Sequence, residues 1–246
     1  MKVLVVCDVL GKENNGTTIA AMNLIRYLRE CGDEVRVLCA DQEKKNLDNY
    51  FIVPNLYLGF VINHMLKKNN VTLANPNKKV ILKALEGVDI VHVMMPFSLG
   101  AKTAKIAKKL GIPVTAGFHC QAENFSSHIK MMNCNFVNKI VYKNFYKKLY
   151  KNVNAIHYPT QFIQNLFEKE IKRKTNGYVI SNGVNSQYKQ INNILRIPEL
   201  NNKFNILFIG RISKEKSHEI LIEAVSMSKH KENIQLTFAG QVTREN

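Results

Sequence analysis

"DIVHVMMPFSLGAKTAKIAKKLGIPVTAGFH", residues 89–119, combines one strand, one helix and a second strand in a single stretch. Two short apolar runs, 89–95 and 112–118, flank a segment whose apolar residues recur at helical spacing. Continuous apolar runs are typical of strands that are buried on both faces, and strands that alternate with helices form parallel sheets. This segment therefore predicts an α/β domain with a parallel sheet.

The same alternation extends in both directions along the chain. Further strands are predicted at 2–8, 34–40, 154–158 and 177–182, and helices at 135–151, at 161–171 and from near Thr17. Strands that alternate with helices in this way predict a doubly wound, Rossmann-like domain, which we place at residues 1–190.

A second alternating pattern follows a stretch with little periodicity. We interpret residues 191–203 as a linker, because they contain one proline and several clustered asparagines. Strands at 204–210 and 234–240 then flank a helix at about 217–229. Residues 204–246 are fewer than the roughly 50 that a free-standing domain usually needs. We expect them to be the beginning of a second, incomplete Rossmann-like domain.

Charge is the unusual feature of the composition. The 246 residues contain 35 Lys+Arg against 19 Asp+Glu, a net charge of +16. This excess implies an anionic partner: nucleic acid, an acidic membrane surface or a phosphate-bearing substrate. Because the chain carries no helix-turn-helix, RNA-recognition or zinc signature, we do not expect nucleic acid.

The cysteines and the N-terminus favour a cytoplasmic protein. Five cysteines form no Cys-x-x-Cys pair, which indicates reduced thiols rather than disulfides or a zinc site. The first apolar run is broken at Asp8, so it predicts a buried strand and not a signal peptide. No run reaches the roughly 18 apolar residues of a membrane-spanning helix.

A phosphate-binding arrangement is predicted within "LFIGRISKEKSHEILIEAV", residues 207–225. A strand, a glycine turn and a helix start occur together with the cations Arg211 and Lys216. Backbone N–H groups and cations at such a turn bind phosphate. Both side chains can reach one diphosphate, and Lys214 is a weaker candidate. The alternative is that these are solvated loop cations.

Taken in order, four segments resemble glycosyltransferase family 4. They are "NNGTTIAAMNLIRYLRECGDEVRVLC" (14–39), residues 89–119 quoted above, "YVISNGV" (178–184) and "GRISKEKS" (210–217). The resemblance implies the GT-B architecture, in which two Rossmann-like domains face each other across a cleft. Residues 1–190 would then be the acceptor-side domain, and 204–246 the beginning of the donor domain.

The family resemblance implies an activity. The chain would be a retaining glycosyltransferase that transfers a sugar from a nucleotide-sugar donor to a lipid-linked or cell-envelope acceptor. The alternative is a non-catalytic, truncated or split-subunit form of the same fold that needs a partner chain to complete the donor domain. Because little of the donor site is then present, we expect the chain by itself to bind nucleotide sugar weakly or not at all and to turn over none.

Arg211 and Lys216 would bind the donor diphosphate by this resemblance. Fixed cations stabilise the charge that grows on the leaving diphosphate. The five aspartates have no Asp-x-Asp spacing, and no His/Cys cluster replaces it. We therefore expect no metal and no cofactor, with the nucleotide sugar bound as a substrate.

Four residues of the first domain are further site candidates by the same resemblance. Gly16 and Thr17 would lie at the cleft near the diphosphate, although a surface turn with a threonine N-cap is the alternative. His119 would lie beside the reacting sugar, although a histidine at a strand end is more often structural. Glu123 would orient an acceptor hydroxyl group.

A basic helix is predicted at "FVNKIVYKNFYKKLYK", residues 136–151. Its apolar residues fall close to one helical stripe: Phe136, Ile140, Val141, Phe145 and Leu149. A second stripe consists of lysines spaced four apart: Lys139, Lys143, Lys147 and Lys151. A basic amphipathic face interleaved with tyrosines is typical of helices that bind an anionic bilayer. The alternative is a core-facing helix with a solvated lysine side.

Overall fold

The computed structural model of the chain describes most of the 246 residues. The described residues are 1–8, 10, 16–57, 59, 63, 73–127, 131, 133–183, 189, 190, 192, 198, 202–210, 212 and 216–240. The chain forms two compact units, Met1–Asn185 and Ser186–Asn246. Most of the predicted linker, 191–203, lies outside the described residues.

A parallel sheet forms the centre of the first unit. Its described strands are β1 (Lys2–Val6), β2 (Glu34–Cys39), β3 (Tyr50–Ile52), β4 (Ile90–Val93), β5 (Val114–Gly117), β6 (Ala155–Tyr158) and β7 (Gly177–Val179). The strand order is β3-β2-β1-β4-β5-β6-β7, and every neighbouring pair is parallel. The winding reverses between β1 and β4, and ligands of such sheets bind at the carboxyl ends of the strands beside this point.

Helices connect the strands of this sheet. The described helices are α1 (Gly16–Glu30), α2 (Lys78–Leu85), α3 (Ser98–Lys109), α4 (Ala122–Ser127), α5 (Asn135–Lys148) and α6 (Gln161–Ile171). Short 3₁₀ turns occur at Gln42–Lys44 and Tyr150–Asn152. No helix in the described ranges is long and apolar enough to cross a membrane.

The side chains of β1 alternate between two cores. Val3 and Val5 pack with Ile25 of α1 on one face of the sheet, while Leu4 and Val6 belong to the larger core on the other face. Helices α2, α3, α5 and α6 all contribute to that larger core, through residues that include Ile81, Leu99, Phe145 and Phe167. Burial on both faces confirms the doubly wound α/β class that the apolar runs predict.

The second unit contains β8 (Phe204–Ile209), α7 (His218–Met227) and β9 (Ile234–Ala239) among its described residues. The two strands pair in parallel from Phe204–Ile234 to Ile209–Ala239. His218 is buried and its ring lies 4.5 Å from that of Phe208 and 5.3 Å from that of Phe238. Around this small core, both faces of the strands expose apolar side chains.

Candidate active site at the carboxyl ends of the strands

His119 lies just beyond the carboxyl end of β5 and folds back over the sheet. A Cβ atom added at Gly117 would overlap the imidazole ring of His119. Glycine at this position therefore lets the ring approach the backbone closely, because any larger residue would displace it. The sheet places His119 at the edge where parallel α/β proteins bind their ligands.

His119 belongs to a row of polar side chains on one face of the sheet. His92 of β4 pairs with Thr115 of β5, and Gly117 pairs with His157 of β6, so these residues share a face. The rings of His119 and His157 meet edge to face with centroids 5.6 Å apart. Nδ1 of His92 lies 2.8 Å from the hydroxyl oxygen of Thr115.

The imidazoles of His92 and His119 are neutral near pH 7. Burial, together with repulsion from His157, lowers the pKa of His119 to about 4. Burial, followed by repulsion from His119 and His157, lowers the pKa of His92 to about 3. The Nε2 of His157 lies 2.6 Å from the carbonyl oxygen of Ile180, which can only accept a hydrogen bond. Nε2 of His157 is therefore the donor in that contact.

The beginning of α1 lies next to His119. The hydroxyl group of Thr17 donates a 3.3 Å hydrogen bond to the carbonyl oxygen of His119. The structure thus joins two predicted site residues that are 102 positions apart in the sequence. Gly16 is exposed, and a Cβ atom added to it would have no described neighbour within 4 Å. The helix N-terminus carries a partial positive charge, and no described atom crowds it at Gly16.

Glu123 is held by a buried tyrosine. It lies in α4, four residues after His119, and accepts a 2.5 Å hydrogen bond from the phenol of Tyr142 in α5. A second bond, 2.6 Å from the Ser126 hydroxyl to the side-chain oxygen of Asn138, also joins the two helices. Both Asn138 and Tyr142 are buried. Helix α5 therefore fixes the position of α4 beside the end of β5.

The predicted apolar stripe of α5 does not form one face. Phe145 and Leu149 are buried, but Phe136 is 73% exposed and Ile140 is 51% exposed. The buried face includes Asn138 and Tyr142 instead, because their polar atoms are satisfied by α4. The solvent face of α5 thus combines Phe136 and Ile140 with two exposed members of the predicted lysine stripe, Lys143 and Lys147.

The remaining lysines of that stripe lie at the edges of this face. Lys139 is partly exposed, and Lys151 is exposed in the 3₁₀ turn after α5. Among the described residues, none of the four lysines of the stripe takes part in an ion pair. The stripe is therefore available to an anionic partner.

The predicted diphosphate-binding loop is only partly described. Arg211 and Lys214 lie outside the described residues. Lys216 is exposed and makes no ion pair with any residue that the structure places. Within the same described set, no three His, Cys, Asp or Glu side chains are grouped to hold a metal ion.

Sequence reasoning missed Thr115 and His157 as neighbours of His119. The sequence contains the signal, because His92, Thr115 and His157 all occupy the same phase of the period-two alternation in their strands. Only the strand order and register show that these three polar residues lie side by side.

Comparison with known proteins identifies the family of the chain. A family model for Glycosyltransferase Family 4 matches residues 14–188. The α-monoglucosyldiacylglycerol synthase of Acholeplasma laidlawii is 25% identical over 224 residues, which cover 85% of this chain and 55% of that protein. The synthase of the same name from Streptococcus pneumoniae is 27% identical over 168 residues, 62% of this chain and 36% of that protein.

The chain spans about half the length, or less, of these curated relatives. Among solved structures, an α-glucosyltransferase in complex with UDP and DNA superposes with a TM-score of 0.49. It is 15% identical, and the superposition covers 98% of this chain and 57% of that one.

Proposed function

The chain belongs to glycosyltransferase family 4, and we propose that its first unit is the acceptor-side domain of a retaining GT-B enzyme. The enzyme would transfer a sugar from a nucleotide-sugar donor to a lipid acceptor. The observation that carries this proposal is the contact of Thr17 with His119, which brings a helix N-terminus and a neutral imidazole together at the carboxyl ends of the strands.

The first unit would bind the acceptor and orient the reacting sugar. A neutral His119 can hydrogen-bond a sugar hydroxyl group without placing a second positive charge near the developing oxocarbenium ion. Glu123 can accept a hydrogen bond from the acceptor hydroxyl group, because Tyr142 already holds its carboxylate in place. Gly16 and Thr17 would leave room for the donor diphosphate at the start of α1.

The second unit would supply the first part of the donor site. Arg211 and Lys216 would bind the diphosphate and stabilise the charge that grows on it as the glycosidic bond breaks. In this proposal the fixed cations replace a metal ion, and the reaction needs no cofactor.

The names of the curated relatives support a lipid acceptor. Two of them are synthases of monoglucosyldiacylglycerol. The exposed face of α5 supports the same conclusion, since Phe136 and Ile140 lie among lysines as in helices that bind an anionic membrane surface. We place the protein on the cytoplasmic face of the membrane, where the lysine stripe would contact acidic lipids.

Acceptor binding can be tested on this chain without a donor. We would label the histidines and follow their imidazole resonances by NMR while adding a short-chain diacylglycerol. The resonances of His119 and His157 should shift, whereas that of His218 in the second unit should not. Shifts confined to His218, or no shift up to the solubility limit of the lipid, would contradict the proposal.

A second candidate function is a split enzyme, in which another chain completes the donor domain. The observation in its favour is the exposed apolar surface of the second unit. Phe204 is 71% exposed and Ile209 is 76% exposed on β8, and Ile220 is 66% exposed on α7. Parallel strands are normally covered on both faces, so in this candidate function another chain would cover the exposed surface. Stable co-purification with a polypeptide encoded beside its gene would favour the split form.

A further inference from the structure

A cleft lined by lysines lies in the first unit on the outer side of α3. It has a volume of about 470 Å³ and lies between the start of α2, the length of α3 and the 3₁₀ turn at Tyr150–Asn152. We call it the lysine cleft. Five lysines line it: Lys78, Lys102, Lys105, Lys108 and Lys109.

No carboxylate among the described residues pairs with any of these five lysines. Lys78 is the first residue of α2, where the helix dipole disfavours a cation and where the first turn contains no acidic residue. Lys105 and Lys109 are one turn apart on α3 and repel each other. The ammonium group of Lys102 donates a 3.0 Å hydrogen bond to the carbonyl oxygen of Pro76, which holds it near Lys78.

The lysine cleft thus concentrates positive charge for which the described residues supply no counter-ion. The dipole of α3 compensates only Lys108 and Lys109, which lie in its last turn. An anion bound among Lys78, Lys102 and Lys105 would relieve the repulsion. A phosphate ester is the anion best suited to several ammonium groups at once, because its oxygens can accept hydrogen bonds from different sides.

Apolar surface in the cleft favours a ligand that is not fully hydrophilic. Ile106 lies between the lysines and is partly exposed, and lysine side chains cover apolar surface with their methylene groups. A ligand that carries a phosphate next to an apolar part fits this lining better than free phosphate does.

The position of the cleft favours a lipid over a soluble ligand. Helices α2, α3 and α5 pack against the same core, so they lie on the same side of the sheet. The solvent face of α5 on that side exposes Phe136 and Ile140 beside Lys143. Exposed aromatic and aliphatic side chains among lysines are typical of surfaces that rest on anionic bilayers.

We propose that the lysine cleft binds the phosphate head group of an anionic membrane lipid. The cleft then forms a second anion site, made of other residues than the proposed diphosphate-binding pair Arg211 and Lys216. This deepens the membrane association in the proposed function, and its test measures binding without turnover, so that the two proposals can fail separately.

Co-sedimentation with vesicles tests the site. The whole chain should bind vesicles made of equal parts of phosphatidylcholine and phosphatidylglycerol, and should not bind phosphatidylcholine alone. The variant K102Q/K105Q/K109Q should bind the acidic vesicles at least about tenfold more weakly, since each lysine near an acidic surface contributes to binding. The variant K105Q/K109Q, which keeps the Lys102–Pro76 bond, should show a smaller loss in the same direction.

A matched control removes the same charge elsewhere. Lys45, Lys229 and Lys231 are exposed and lie outside the cleft. K45Q/K229Q/K231Q should bind acidic vesicles almost as well as the unchanged chain. Equal losses of vesicle binding in the two triple variants would show that binding depends on net charge alone. That result would overturn the proposal that the lysine cleft is the binding site.

A soluble probe separates the two possible sources of phosphate. Inorganic pyrophosphate would be titrated into the chain and into K102Q/K105Q/K109Q by calorimetry. The assignment to a lipid would be overturned if the unchanged chain did not bind acidic vesicles but bound pyrophosphate tightly, and if K102Q/K105Q/K109Q lost that pyrophosphate binding. Weak pyrophosphate binding combined with cleft-dependent vesicle binding is the expected result.

Discussion

The phenol of Tyr142 donates a 2.5 Å hydrogen bond to a carboxylate oxygen of Glu123 and so ties α5 to α4. Burial, followed by this bond to Glu123, raises the pKa of Tyr142 well above its usual value, so the phenol remains a donor. The helix that exposes Phe136 to solvent therefore also holds the predicted acceptor carboxylate. The exposed apolar face of α5 and the position of Glu123 therefore depend on the same helix.

Tyr142→Phe removes this bond and leaves the packing of the ring intact. A hydrogen bond to a carboxylate contributes about 1.5–3 kcal/mol, so the free energy of unfolding should fall by that amount. Urea denaturation measures the change. The control is Tyr146→Phe on the same helix, whose partly buried ring packs against the same core and whose hydroxyl group has no recorded hydrogen bond within the described ranges. Equal stability of the two variants would contradict the role of Tyr142.

Gly117 and Gly16 should respond differently to alanine. Gly117→Ala forces the His119 ring away from the backbone and should destabilise the chain by about 1–3 kcal/mol, as overpacking does. Gly16→Ala adds a methyl group that has no described atom within 4 Å, at the start of a helix, and should leave the melting temperature unchanged or slightly higher. Thermal unfolding of both variants checks this. A loss of stability in Gly16→Ala as large as that in Gly117→Ala would contradict the geometry.

Asp8 should make stability depend on pH. Burial raises its pKa to about 7, against the opposing effect of a hydrogen bond from the backbone N–H of Ala74. A carboxyl group whose pKa is higher in the folded state takes up protons on folding, so it destabilises the fold as pH rises from about 4 to about 7. Asp8→Asn should match the unchanged chain near pH 4 and exceed its stability by up to about 4 kcal/mol near pH 8. Equal stability of the two proteins near pH 8, measured by urea denaturation, would contradict the burial of Asp8.

Most of the fold could be predicted from periodicity. The helix predicted at 161–171 matches Gln161–Ile171, and strands such as Glu34–Cys39 and Phe204–Ile209 lie within one residue of their predicted ranges. Strand β3 and helix α2 were not predicted. Tyr50–Ile52 has three residues, too few to show an alternation, and α2 is only eight residues long and contains three lysines. Val80, Ile81, Ala84 and Leu85 do have helical spacing, so the sequence contained that signal.

The candidate site could be predicted only in part. Thr17, His119 and Glu123 were expected at the cleft because of the resemblance to the family, and His119 also because it ends a predicted strand. Their contacts with His157 and Tyr142 depend on the register between strands and on the packing of α5, which periodicity does not determine. The exposure of Phe136 was missed for the same reason. Hydrogen bonds to α4 let Asn138 and Tyr142 be buried, so the face of α5 that carries Phe136 is turned to solvent.

The most direct test of the account is a sugar-transfer assay. The chain would be co-expressed with the polypeptides encoded directly beside its gene and incubated with acidic vesicles containing diacylglycerol. A panel of radiolabelled nucleotide sugars would then be supplied, and label would be counted in the chloroform extract. We expect label in lipid with the complete set of polypeptides, almost none with this chain alone, and a large loss in His119→Asn. No label in lipid with any donor, or transfer that His119→Asn leaves unchanged, would contradict it.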